Sequence, residues 1–153
     1  MATRKPAATA SVQIGVKLLN DFAKLPMKGS EEAACYDIVL PDDVYIAPHT
    51  TKAVGSGLAF NIPKGYRLDM YLRSGVAAKT MVRLANGVGK VDSDYAGEVK
   101  MLLTNEGGTP VRFYRGDRVC QFEINKVTDI ELSETSDLKQ TERADGGMGS
   151  TGK

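Results

Sequence analysis

Histidine and cysteine are scarce in this chain of 153 residues: His49 stands alone, and Cys35 and Cys120 lie far apart with no CxxC spacing. That scarcity argues against a disulfide framework or a cysteine and histidine metal cage, and leaves two buried free thiols as the expectation. His49, set in the polar string APHTTK, reads as a surface strand or turn residue and not as a general base. An excess of either charge is also missing. Lysine and arginine number 20 against 19 acidic residues, and beyond a short RKP near the start there is no basic run. Neither a nucleic-acid surface nor a membrane surface is expected, so any anionic ligand must be held by local groups. No stretch approaches the roughly 18 apolar residues that a spanning helix needs, and MATRKPAATASVQIG offers no adequate apolar core for a secretion signal. The expectation is a cytoplasmic protein, or a nuclear one in a eukaryote, in a reducing compartment.

What the chain does have is a period of two. Hydrophobic residues make up 42% and charged ones 25%, which suits one soluble domain with a core of useful size. Short β-branched or aromatic segments recur at 12–19, 35–40, 44–57, 58–62, 66–72, 82–86, 97–105 and 111–124, broken by Gly, Pro, Asn and Asp. This pattern predicts an all-β barrel or sandwich. Only SGVAAKT (74–80) reads as helical, for a turn or two. LPDDV, IPKGY and NEGGTP carry turn chemistry. Residues 1–11 read as a disordered leader, 12–127 as the folded domain, and 128–153 as a loose tail too polar to bury itself.

Three strings carry chemistry. GKVDSDYAGE (89–98) sets its three acids and a tyrosine between and beside two glycines. RADGGMGSTGK (143–153) pairs Arg143 with glycines and the hydroxyls of Ser150 and Thr151, a composition that can wrap a phosphate; a frayed Gly/Ser tail is the plain alternative. YLRSGVAAKT (71–80) brings Arg73, Ser74 and Gly75 to the start of the short helix, either as an anion site or as an ordinary helix cap.

In order and spacing, five motifs resemble those of the trimeric deoxyuridine triphosphatase (dUTPase) family across nearly all of residues 12–152: AACYDI (33–38), LRSG (72–75), NGVGKVDSDYAGE (86–98), RGDRVCQF (115–122) and RADGGMGSTG (143–152). The resemblance implies a jelly-roll-like β-barrel with one short helix and a flexible glycine-rich C-terminal arm. It also implies hydrolysis of dUTP to dUMP and pyrophosphate, which limits uracil incorporation into DNA and supplies dUMP for dTMP synthesis. Asp92 is similar to the family's catalytic carboxylate, which activates the water that attacks the α-phosphorus. The chemistry is sensible, because a carboxylate can accept a proton from a positioned water and phosphoryl transfer needs placement and charge neutralisation above all. Tyr95 matches the tyrosine that packs under the deoxyribose and excludes a 2′-hydroxyl. Asp94 and Glu98 are assigned to turn and strand roles.

By the same resemblance, uracil is read by the main chain of a hairpin from Asn86 through Gly89, Lys90 and Val91, with Lys100 close to substrate. The phosphates fall to Arg73, Ser74, Gly75, Gln121, Arg143, Gly149, Ser150 and Thr151, and Met148 covers the base. Mg²⁺ is the implied cofactor, riding on the three phosphates, with Asp37 touching it through water at most or serving as a strand-end turn residue. Cys35 stands where relatives usually have Gly, and Met148 where they commonly have a Phe that stacks on uracil; Met keeps dispersion but loses the stacking face. The partners implied are dUTP and two further copies of the chain, in a homotrimer whose arms close over shared sites. A regulatory protein partner is a further expectation if the source is viral. Two alternatives stand beside this reading. A dCTP deaminase shares the architecture but needs a general-acid/base Glu at the base pocket and a longer chain, and Glu98 lacks that setting. A binding module without catalysis would be favoured by a segment inserted between motifs, and none is found.

Overall fold

The structure is a computed structural model, and it describes residues 11–142 and 144–146. The chain runs through β1 (Gly15–Leu18), β2 (Met27–Lys28), β3 (Tyr36–Val39), β4 (Val44–Ile46), β5 (Thr51–Gly55), β6 (Leu58–Asn61), β7 (Tyr66–Leu72), α1 (Ser74–Lys79), β8 (Val82–Leu84), β9 (Gly89–Val91), β10 (Lys100–Asn105), β11 (Val111–Phe113) and β12 (Arg118–Lys126). Alternation explains most of these strands. In β10 Met101, Leu103 and Asn105 face inward while Lys100 and Leu102 face out, as a half-buried strand requires.

The strands form an all-β, jelly-roll-like fold whose ladders are β2-β3-β12-β7-β9, β5-β10-β8, β1-β6 and β11-β4. Every pairing is antiparallel. The inner faces meet in one core, with Ile38, Leu40, Leu58, Leu68, Met70, Met101, Leu103 and Val119 almost wholly excluded from solvent. Phe60 meets Phe122 edge-on, with ring centroids 5.2 Å apart, the favoured geometry for aromatic pairs.

Two strands escape the sequence reading. β2 is two residues long, and β9 is three residues hidden inside a glycine-flanked acidic string. The expected helix is present as α1, but Ser74 is its first helical residue and Arg73 its cap, with no side-chain capping bond. Cys120 is buried as expected and its thiol is pushed up to about 12 by that burial. Cys35 is only half buried; burial, then Glu123 and Asp37, raise it. Tyr36 stacks on Phe122 with centroids 5.8 Å apart. Tyr114 is 61% exposed. His49 lies exposed in a turn with a φ of 55°. From Thr128 to Glu142 the chain holds no helix or strand, and Ile130, Leu132 and Leu138 are 74, 87 and 84% exposed. No described helix is long and apolar enough to cross a membrane.

Two changes of sheet shape the region that matters. β8 pairs with β10, but the chain then turns at Asn86–Val88 and crosses to pair as β9 with β7. Gly87 makes that turn at a φ of 67°, a conformation costly for residues with a Cβ. After β9 it returns through residues 92–99 to β10. The return is stitched down: Ser56 Oγ donates to the Val99 carbonyl at 2.6 Å, and Glu98 Oε1 accepts from Gly57 N at 2.8 Å. Gly57 sits at a φ of +69°, and a Cβ there would lie 2.9 Å from the Cβ of Ala23.

Candidate active site

Where β9 and β10 part, a groove of about 290 Å³ opens, lined by Met70, Asn86, Gly89, Lys90, Val91, Asp92, Tyr95, Glu98, Val99, Lys100 and Leu102. β9 is an edge strand of its sheet, so one side of its backbone has no strand partner among the described residues and can read another molecule by main-chain hydrogen bonds. Gly89 permits the close approach of β9 to β7, since a Cβ there would sit 3.3 Å from the Cβ of Met70.

The acidic string becomes a turn at the mouth of this groove. Tyr95 N donates to the Asp92 carbonyl at 3.2 Å, leaving the Asp92 side chain exposed. The Tyr95 ring folds back so that its hydroxyl donates to the Glu98 carbonyl at 2.9 Å. Gly97 makes room for it: a Cβ at 97 would lie 2.6 Å from the Tyr95 hydroxyl oxygen. A fixed ring and a solvent-facing carboxylate are thereby held three residues apart.

A second cluster lies outside that groove. Asp37 on β3 is 4% exposed, and its two carboxylate oxygens receive Arg73 Nε at 2.9 Å and Arg118 Nη1 at 3.0 Å. Arg73 also donates to the Arg118 carbonyl at 3.2 Å. Gln121 is the cross-strand partner of Asp37. The cluster therefore gathers cationic and amide donors at the start of α1, a combination suited to an anion.

Of the residues predicted from sequence, Asn86, Gly89, Lys90, Val91, Asp92, Tyr95 and Lys100 meet at the groove, whereas Asp37, Arg73, Ser74, Gly75 and Gln121 stand outside it. Arg143, Met148, Gly149, Ser150 and Thr151 lie outside the described residues. Lys90 reaches the groove as an element of β9, while its Nζ is 2.9 Å from Asp69 Oδ1 on β7. Among the described residues no group of three or more His, Cys, Asp or Glu could hold a metal ion. Asp37 has both oxygens on arginines, which is the geometry of an arginine anchor.

Sequence reasoning missed Arg118 and Asp69. Arg118 lies inside the string RGDRVCQF, so the signal was present. Asp69 gave none, because in YRLDMYL an acid on the outward face of a strand looks solvated. It is 2% exposed. Burial acts to raise its carboxyl, but hydrogen bonds from Arg67, Lys90 and Asn125 outweigh that and bring it down to about 2.

Comparison with known proteins agrees with this geometry. The structure superposes on the dUTPase of Staphylococcus bacteriophage 80alpha with dUpNHpp at a TM-score of 0.85 and 25% identity, covering 93% of this chain and 99% of that one. That places the chain in the all-β fold class of this neighbour. A dUTPase family model matches residues 21–152. The deoxyuridine 5'-triphosphate nucleotidohydrolase of Nautilia profundicola is 39% identical over 142 residues, 93% of this chain and 100% of its own length. That of Zymomonas mobilis is 40% identical over 143 residues, covering 92% and 98%. The chain belongs to the dUTPase family.

Proposed function

We propose that this chain hydrolyses dUTP to dUMP and pyrophosphate, with Asp92 activating the attacking water. The observation that carries the reading is the placement of Asp92 immediately after the edge strand β9, at the mouth of the same groove that holds Tyr95. Uracil would lie against the open backbone edge of residues 86–91, with the deoxyribose on the Tyr95 ring, whose hydroxyl is tied to Glu98. A ring fixed in this way rejects a ribose by occupying the space of its 2′-hydroxyl. Asp92 would accept the proton of a water aligned on the α-phosphorus.

In this reading the phosphates extend toward a set of Arg73, Ser74, Gly75 and Gln121, joined by Arg143, Gly149, Ser150 and Thr151 from the tail, with Met148 over the base. Because Arg73 and Gln121 stand outside the groove that contains Asp92, the complete site is read as shared between copies in a homotrimer. The exposed Phe22, Leu25, Met27, Ile130 and Leu132 are consistent with surfaces that a neighbour covers.

A divalent metal fits as a passenger of the substrate. Asp37 is saturated by arginines and no described carboxylate cluster exists, so Mg²⁺ would ride on the three phosphates, with Asp37 reaching it through water at most. When bound it would supply neutralising charge to the phosphate oxygens. A mutant dUTPase from phage phi11 of S. aureus coordinates a structural Mg(II) ion. The test is pyrophosphate release from dUTP, dCTP, dTTP and UTP with Mg²⁺ present. Turnover confined to dUTP is expected; release from dCTP at a comparable rate, or none from dUTP, would overturn the reading.

A further inference from the structure

Base selection needs a fixed β9, yet β9 offers little of its own to fix it. It is three residues long, has one neighbour, and pairs through Leu68↔Val91, Asp69↔Lys90 and Met70↔Gly89 alone. So short an edge strand frays readily. Lys90 stands directly across the ladder from Asp69, and its Nζ meets Asp69 Oδ1 at 2.9 Å.

Asp69 is a rigid anchor. It lies in mid-strand on β7, with β12 on its other side, and its side chain is 3% exposed. Arg67 Nε donates to both its oxygens at 2.9 and 3.1 Å, and Asn125 Nδ2 on β12 donates to Oδ2 at 2.9 Å. Asn125 also donates to Glu123 Oε1 at 3.0 Å, which in turn accepts from the Tyr71 hydroxyl at 3.0 Å. Four groups from β7 and β12 therefore hold the carboxylate network, and among the described residues Lys90 is the one side chain that connects it to β9.

We propose that Asp69 is a positioning residue for base selection: through Lys90 it fixes the distance of the β9 backbone from the groove, and so its fit to one pyrimidine edge. The inference rests on the dUTP reading above. Asp69 does not line the groove, whereas Lys90 does, and it spends its side-chain charge on Asp69. Base edges that differ in a donor and an acceptor are separated only when the reading groups are held to well under 1 Å.

Lys90→Met tests this, because its side chain is 54% exposed and its removal leaves Asp69 still paired to Arg67 and Asn125. Expected are a preference for dUTP over dCTP in kcat/KM reduced by roughly tenfold and a dUTP KM raised with kcat little changed. Amide hydrogen exchange in 86–92, measured without nucleotide, should speed up while β3 and β12 keep their protection. Lys90→Arg should restore all three. Arg67→Met, which removes a partner of the same carboxylate without touching β9, should lower stability and leave the preference intact. An unchanged preference or exchange in Lys90→Met, no rescue by Lys90→Arg, or an equal loss in Arg67→Met would each overturn the proposal. Absence of dUTP turnover by the intact chain would instead overturn the functional reading, and the exchange experiment would still decide this one.

Discussion

Arg73 Nε lies 2.9 Å from Asp37 Oδ1, so the arginine at the start of α1 is oriented by a buried acid from β3. Asp37→Asn keeps the shape of that acid but removes the common counter-ion of Arg73 and Arg118. The expected result is a dUTP KM raised by about tenfold, with kcat changed much less, because positioned arginines serve phosphate binding. Michaelis kinetics across a Mg²⁺ titration provide the check. A shift in the Mg²⁺ requirement with unchanged KM at saturating metal would assign Asp37 to the metal instead.

Gly97 and Tyr95 form a second coupled pair. A Cβ at 97 would lie 2.6 Å from the Tyr95 hydroxyl oxygen, so Gly97→Ala must displace the ring. Both Gly97→Ala and Tyr95→Ala are expected to narrow the preference for dUTP over UTP, by roughly tenfold or more, since a steric wall has been moved. Competition between the two nucleotides measures it; an unchanged ratio in both variants would remove Tyr95 from sugar selection.

The Asp69 carboxyl is held at about 2, against an ordinary 3.8. A carboxyl lowered in the folded state adds stability that is fully present above its unfolded value and is lost as pH falls through the folded one. The intact chain should therefore lose roughly 2 kcal/mol between about pH 4 and pH 2 through this group. Urea unfolding of the intact chain and of Asp69→Asn over that range should show the variant with the shallower decline. Parallel declines would contradict the assignment.

The proposed sharing of sites between copies predicts complementation. Asp92→Asn chains and Arg73→Ala chains, each nearly inactive alone, should regain part of the intact activity when unfolded and refolded together, because mixed trimers contain some sites with both residues intact. Activity no greater than the sum of the separate preparations would confine each site to one chain.

Much of this was legible in the sequence because the evidence for it is local. The strand at 66–72 and the helix at 74–79 follow from alternation and from SGVAAKT, and the groove residues Asn86, Asp92 and Tyr95 share one string. β9 was not legible, since the three residues Gly89–Val91 carry no period and owe their strand to pairing with β7. Asp69 was illegible for the same reason: its partners Lys90 and Asn125 are 21 and 56 residues away. Long-range pairing, which no local pattern encodes, turned an apparently solvated acid into a buried anchor.

The central claim is that Asp92 activates the attacking water. Single-turnover hydrolysis of dUTP by Asp92→Asn, set beside its equilibrium affinity for a non-hydrolysable dUTP analogue, tests it most directly. The account predicts a rate lowered by roughly 100-fold or more with affinity within a few fold of the intact chain. A variant that binds as before and hydrolyses at the intact rate would contradict it.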